Sequence, residues 1–279
     1  MIRSARYFPH HSYPCPVEVV AQLRSRTRIA VVLRRVRHPG GSIDREAALL
    51  PALRQLGLPV PHLLAGPVRD HHRAGGQPLV VLSRLPGEDL QQLSARGGRS
   101  LARAADLLIE GVGRLHAMTG RIARHPAGRF VPKGNLASHL ETIVARGGPW
   151  MADPVFRRAT ERLRPVLEKI RTPLVFSNGD YQPGNFLSNA GRLSGFLDFE
   201  FAWFEDPLYG FAKFPIYDIY PMIKADVVRR FCRAAGYRRE EFRPRLALGC
   251  LAILQRELGA GVENRPYRAH LLKLLASSL

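Results

Sequence analysis

The sequence predicts an α+β chain in which a strand-rich N-terminal part precedes a helix-rich remainder. Three observations predict this. Short β-branched and apolar bursts recur up to Leu85, apolar residues fall at spacings of three and four from Leu101 onward, and Leu85-Pro86-Gly87 breaks the chain between the two regimes. The domain boundary falls at that break, giving residues 1–85 and residues 86–279.

Residues 15–23 and 28–37 read as strands, the second (RIAVVLRRVR) dense in β-branched residues. His38-Pro39-Gly40-Gly41 interrupts the pattern. Ser42 then caps a helix with Arg45 and Glu46 in its early turns and Ala48, Leu49 and Leu53 on its buried side, ended by Gly57. Residues 63–68 and 78–85 supply further strands. Leu101, Ala104, Ala105, Leu108, Ile109, Val112 and Leu115 mark a long amphipathic helix. Further helices are expected at 135–146, 154–171, 207–223, 225–235, 239–258 and 265–275. Two short apolar segments, 185–187 and 193–199, flank the turn residues 188–192.

Composition narrows the function classes. A chain of 279 residues with 46% hydrophobic content can bury a sizeable core. No apolar run approaches the roughly 20 residues of a membrane span, and the N-terminus has no apolar signal region. A cytoplasmic protein with no membrane partner is expected. Cys15, Cys232 and Cys250 are few, widely spaced and without a C-x-x-C, which fits a reducing compartment. The pairs His10-His11 and His71-His72 lack a third ligand at metal spacing and read as loop histidines. The net charge of +19 comes mostly from arginine, with only five lysines among 42 basic residues. The arginines form no dense tract and no regular interleaving with aromatics, so a coding preference for arginine explains them better than a specific nucleic-acid site. A nucleic-acid-binding reading rests on charge alone.

The stretch 177–200, SNGDYQPGNFLSNAGRLSGFLDFE, carries the chemistry. Phosphoryl transfer to a hydroxyl needs a group to accept the hydroxyl proton, ligands for magnesium and cations on the nucleotide phosphates. Asp180 suits the first role; Asn185 and Asp198 suit the second, being hard oxygen donors that neutralise only part of a cation's charge. Gly179 and Gly184 let the backbone turn around the base, and Pro183 stiffens the loop. An Asp-x-x-x-x-Asn alone is weak; followed by strand, turn and a second strand ending in Asp198-Phe199-Glu200, it is specific. Glu200 is left open between the site and a structural ion pair. His116, Trp203 and Phe204 read as core residues.

This segment resembles the aminoglycoside phosphotransferase and choline kinase-like superfamily, whose members carry H-G-D-x-x-P-x-N followed by D-F-[DE]. Asn178 replaces the first histidine, and Gln182 stands where a second often lies. Asp206-Pro207-Leu208, Val80 to Leu90 and Gly113-Arg114-Leu115-His116 resemble further segments of that family, although Glu205 replaces a glycine and Gly210 an aspartate. The resemblance covers roughly residues 28–220. It implies a bilobal protein kinase-like fold, with a small antiparallel-sheet N-lobe binding nucleotide and a larger, mainly helical C-lobe binding the acceptor. It also implies ATP and Mg2+ as cofactors, Asp180 as catalytic base, and Asn185 and Asp198 as metal ligands.

The N-terminal part departs from that pattern twice. No lysine occurs before Lys133, so an arginine must grip the phosphates. Arg34 and Arg35 point to opposite faces of their strand; Arg34 shares the face of Val32 and aligns with the family position, and Glu46 is its natural partner. No glycine occurs before Gly40, so the turn at Arg24-Ser25-Arg26-Thr27 lacks a glycine-rich loop. Ser25, Thr27 or Arg26 would have to serve phosphate instead. The expected function is ATP- and Mg-dependent phosphoryl transfer to a hydroxyl of a small molecule, with a weak or inactive nucleotide-binding module as the alternative. Residues 201–279 hold eight acidic and 13 basic residues, which favours a neutral or anionic acceptor over a polycation. The oligomeric state is not legible.

Overall fold

The computed structural model describes residues 1–8, 16–35, 40–69, 78–259 and 265–279. Cys15, His10-His11, His38-Pro39 and His71-His72 lie outside the described residues. In chain order the elements are β1 (Ile2–Tyr7), β2 (Val17–Gln22), β3 (Arg28–Arg35), α1 (Ile43–Gln55), β4 (Leu63–Arg69), β5 (Pro78–Ser83), β6 (Glu88–Asp89), α2 (Leu90–Ala95), α3 (Gly98–Ala117) and α4 (Thr119–Arg124). There follow α5 (Leu136–Ala145), α6 (Pro154–Lys169), β7 (Val175–Ser177), β8 (Phe186–Asn189), β9 (Arg192–Phe196), β10 (Trp203–Glu205), α7 (Lys213–Ile216), α8 (Val227–Ala234), α9 (Arg239–Gly259) and α10 (Arg265–Ser278). An antiparallel N-terminal sheet followed by a helical remainder is the kinase-like architecture expected.

The chain divides into two compact units, each drawing on distant segments. The first comprises residues 1–93, 117–132 and 178–203; the second comprises 94–116, 133–177 and 204–279.

The first unit is built on a five-stranded antiparallel sheet of order β1-β2-β3-β5-β4. Val32 pairs with Leu82 and Arg34 with Val80, so Val32 and Arg34 share one face of the central strand. Helix α1 packs on β4 and β5 and buries Ile43, Leu49, Leu50 and Leu53. Its start follows local chemistry: the Ser42 hydroxyl accepts from the Arg45 amide at 3.1 Å, and Asp44 and Glu46 occupy the positive end of the helix dipole. A second small sheet, β6-β8-β9, brings the chain after Asp180 into the same unit. Strand β1 was not legible in the sequence because all six of its residues are exposed and no apolar alternation marks it.

The second unit is helical around α9, which buries Ala247, Leu248, Cys250, Leu251 and Leu254 against α5, α6 and α10. Helix α3 buries the predicted Ala104, Ala105, Leu108, Val112 and Leu115. The single helix expected at 207–223 does not form. That stretch breaks into a 3-10 turn at Tyr209–Ala212, the four-residue α7 and another 3-10 turn at Met222–Ala225. Pro215 and Pro221 supply no amide for a continuous ladder, and Asp218 sits at φ 45°, outside helical space. Asp206 and Arg245, both 3% exposed, form a bidentate pair at 2.7 and 3.1 Å that ties the start of this stretch to α9.

Candidate active site

Strand β3 ends by aiming Arg34 into a cavity of about 320 Å3 whose apolar lining includes Val32, Leu82, Leu187 and Leu197. The guanidinium is 12% exposed and meets three carboxylates: Nε lies 2.9 Å from Glu46 Oε2, Nη2 bonds Asp198 Oδ1, and Nη2 lies 3.5 Å from Glu200 Oε1. Burial opposes its charge, but Glu46, Asp198 and Glu200 outweigh burial and hold its proton more tightly than in a free guanidinium. Burial raises the Glu46 pKa, while Arg34 pulls it back down.

Glu46 joins α1 to the loop after β9. Its Oε1 accepts from the Phe199 amide at 3.2 Å, and the Glu200 carbonyl accepts from the Ser42 amide at 3.0 Å and from Arg45 Nη1 at 2.9 Å. Asp198 itself has φ 64°, a strained setting for a non-glycine residue, held by these contacts on both sides. Gly41 is needed beside this loop: a Cβ there would stand 2.8 Å from Glu200 Oε2.

The loop 178–185 is held from within. Asn178 Nδ2 donates to the carbonyls of Asp180 at 3.1 Å and Leu197 at 3.3 Å, and Asn178 Oδ1 accepts from the Asp180 amide at 3.3 Å. The residue that replaces the family's histidine is therefore a cross-link between the two loops. Asn185 Nδ2 donates to the Asp180 carbonyl at 3.0 Å, and the Asn185 carbonyl accepts from Leu197 N at 2.8 Å. With Nδ2 so engaged, Oδ1 is the Asn185 side-chain atom left for a cation. Gly179, at φ 80°, is required because a Cβ would run into the Phe201 carbonyl. Gly184 is not: its φ is ordinary and a Cβ would meet open space, so the expected need for glycine holds at one of the two positions.

All five residues singled out in the sequence lie in the first unit, and Arg34, Glu46, Asn185 and Asp198 line one cavity. Asp180 is part-exposed, with Oδ1 accepting from the Gln182 amide at 3.2 Å. Among the described residues no group of three His, Cys, Asp or Glu side chains is arranged to hold a metal ion. One carboxylate and one amide oxygen are nonetheless a fitting donor set for magnesium, which takes its remaining ligands from phosphate and water. Three carboxylates around one guanidinium also leave a surplus of negative charge beside Asp198. The residues present fit the ion.

The turn between β2 and β3 is held by its own hydrogen bonds. The Ser25 hydroxyl donates to Thr27 Oγ1 at 3.1 Å, the Leu23 amide bonds the Thr27 carbonyl, and Arg26 sits at φ 65°. Neither Ser25, Arg26 nor Thr27 lines the cavity. What the sequence left open was Glu200, 1% exposed and in contact with Arg34; its only signal was an acidic residue two positions past Asp198. His116 packs edge-on against Phe231, and burial lowers its pKa to about 4, as befits a core residue. Phe204 packs against Phe176 in the core.

A profile of the phosphotransferase enzyme family (APH) matches residues 20–246. The chain belongs to this family. It is accordingly a phosphotransferase of the small-molecule kinase class. A search of curated protein sequences finds no match. Among solved structures, a thermostable mutant of aminoglycoside phosphotransferase APH(4)-Ia, in ternary complex with AMP-PNP and hygromycin B, is similar at TM-score 0.72 and 15% identity, over 100% of this chain and 94% of that one. The GDP and kanamycin complex of a 2″-aminoglycoside phosphotransferase is similar at TM-score 0.67 and 18% identity, over 100% and 93%. The GDP complex of aminoglycoside 2′-phosphotransferase-IIIa is similar at TM-score 0.64 and 18% identity, over 100% and 93%. These likenesses establish the kinase-like fold. No helix among the described residues is long and apolar enough to cross a membrane.

Proposed function

We propose that this phosphotransferase moves the γ-phosphoryl group of ATP to a hydroxyl of a small molecule in a magnesium-dependent reaction. The observation that carries this reading is the meeting of Arg34, Glu46, Asn185 and Asp198 around one cavity. Arg34 holds nucleotide phosphates in the role kinases give to lysine, and Glu46 fixes its orientation. Asn185 Oδ1 and Asp198 would hold magnesium, which would neutralise charge developing on the phosphates. Asp180 orients the acceptor hydroxyl and takes its proton late, when transfer is nearly complete. In this reading residues 1–85 bind nucleotide and residues 86–279 supply the base and the acceptor pocket.

The acceptor is a hydroxylated small molecule. The solved relatives were captured with hygromycin B and kanamycin. The excess of basic over acidic residues in 201–279 argues for a neutral or anionic acceptor instead of a polycation. A cytoplasmic, reducing location is supported by two free buried cysteines, Cys232 and Cys250.

The glycine-free turn with its self-satisfied hydroxyls favours a second reading, a module that binds nucleotide without turnover. One experiment separates them. Mg-dependent ATP binding and slow ATP hydrolysis are measured for the parent, Asp180→Asn and Asp198→Ala. Catalysis predicts that Asp180→Asn keeps binding and loses hydrolysis, while Asp198→Ala loses the magnesium dependence of binding. Hydrolysis unaffected by Asp180→Asn would sink the assignment of the base, and tight binding without hydrolysis in the parent would favour the module.

A further inference from the structure

The helical unit holds a cavity of about 420 Å3 that phosphoryl transfer has not been assigned to use. Its floor is apolar, with Val227, Phe242, Leu246 and Leu274 among the lining residues. Its rim carries three arginines, Arg229, Arg239 and Arg243, against one acidic lining residue, Asp226.

The charges do not cancel. Asp226 pairs with Arg229. Arg239 and Arg243, one turn apart at the start of α9, have no carboxylate partner among the described residues. Asp226 has a left-handed backbone (φ 52°), and its side chain does not cap α8. The first amides of α8, at the cavity-lining Val227 and Val228, are therefore left without a side-chain acceptor. Two exposed arginines without a carboxylate partner and the uncapped start of α8 thus border one cavity with an apolar floor, in a volume within the ordinary range for small-molecule sites.

We infer that this cavity binds a small amphiphilic anion: a carboxylate or phosphate head on a short apolar body. An inorganic anion would leave the floor in contact with water. A neutral apolar molecule would cover the floor but gain nothing from the two exposed guanidiniums. A cation would be repelled. A forked guanidinium matches carboxylate and phosphate oxygens alike, and the apolar body covers Phe242 and Leu246. The site lies wholly within the second unit and does not depend on the nucleotide reading.

Calorimetric titration of the full chain, without nucleotide, tests this with octanoate and octyl phosphate below their micelle-forming concentrations. One-to-one binding with a negative heat-capacity change is expected, weakening as salt is added. The stronger of the two probes identifies the head group as carboxylate or phosphate. The double variant Arg239→Ala/Arg243→Ala is expected to weaken binding by about tenfold or more. Ser277→Trp, an exposed lining position, is expected to fill the cavity and abolish binding while leaving the thermal unfolding midpoint unchanged. The inference is overturned if neither probe binds at up to about 1 mM, if octylammonium binds as tightly, or if the double-arginine variant binds like the parent.

Discussion

Replacing Glu205 by glutamine is expected to stabilise the chain above neutral pH and to do little in acid. Glu205 is 6% exposed, in the position where the family carries glycine. Burial raises its carboxyl from the ordinary 4.5 to about 7; the hydrogen bond with Ser177 opposes the rise and the charge of Asp206 adds to it. The folded state therefore holds this proton over a pH range in which the unfolded chain has released it. Stability falls as pH rises from about 4.5 to about 7 and then levels off. At about 1.4 kcal/mol per pH unit, the ionised carboxylate costs about 3 kcal/mol at pH 8. A glutamine keeps an acceptor for Ser177 and carries no charge. Its amide donors must find partners where Glu205 Oε1 has none, which takes back about 1 kcal/mol. Urea unfolding at pH 5 and at pH 8 reads the difference: a gain of about 2 kcal/mol for Glu205→Gln at pH 8 and almost none at pH 5. An equal difference between variant and parent at both pH values would refute the reasoning, because it would mean that Glu205 ionises alike in both states.

Other changes test the packing of the site and the core. Arg34→Lys keeps the charge but gives up the fork that spans Glu46, Asp198 and Glu200; the KM for MgATP is expected to rise about tenfold, with a smaller change in kcat, by steady-state kinetics. Gly179→Ala places a Cβ against the Phe201 carbonyl at a positive φ and is expected to cost more than about 2 kcal/mol, seen as an earlier urea midpoint. Arg245→Ala strands a buried carboxylate at Asp206 and is expected to cost about 3–5 kcal/mol, whereas Arg245→Met with Asp206→Leu recovers much of that loss.

The parts of this protein that announced themselves in sequence were those fixed by local chemistry. The cap at Ser42, the period of α3 and the alternation that set Arg34 beside Val32 each depend on residues a few positions apart. Asp180, Asn185 and Asp198 were legible as a pattern because a short loop separates the first two and one hairpin, β8–β9, separates the last two. What was hidden depended on long-range contacts. Glu200 became a partner of Arg34 only through a fold that closes 166 positions, and Asn178 reads as an ordinary polar residue until Leu197 lies beside it. The stretch 207–223 misled because its apolar residues suit a helix, while Pro215, Pro221 and the left-handed Asp218 break it. The Ser25–Thr27 turn was offered to phosphate on composition, and its hydroxyls bond each other.

The fastening of α1 to the segment 198–200 bears on control. In regulated kinases a helix bearing the partner of the phosphate-gripping residue can swing outward, and that swing is the off position. Here Glu46 grips the Phe199 amide, Ser42 and Arg45 grip the Glu200 carbonyl, and Arg34 ties both carboxylates to Asp198. Any outward swing would have to undo all of these at once and leave buried charges without partners. If Arg34 and Glu46 act as proposed, these contacts hold α1 in the position that phosphoryl transfer requires.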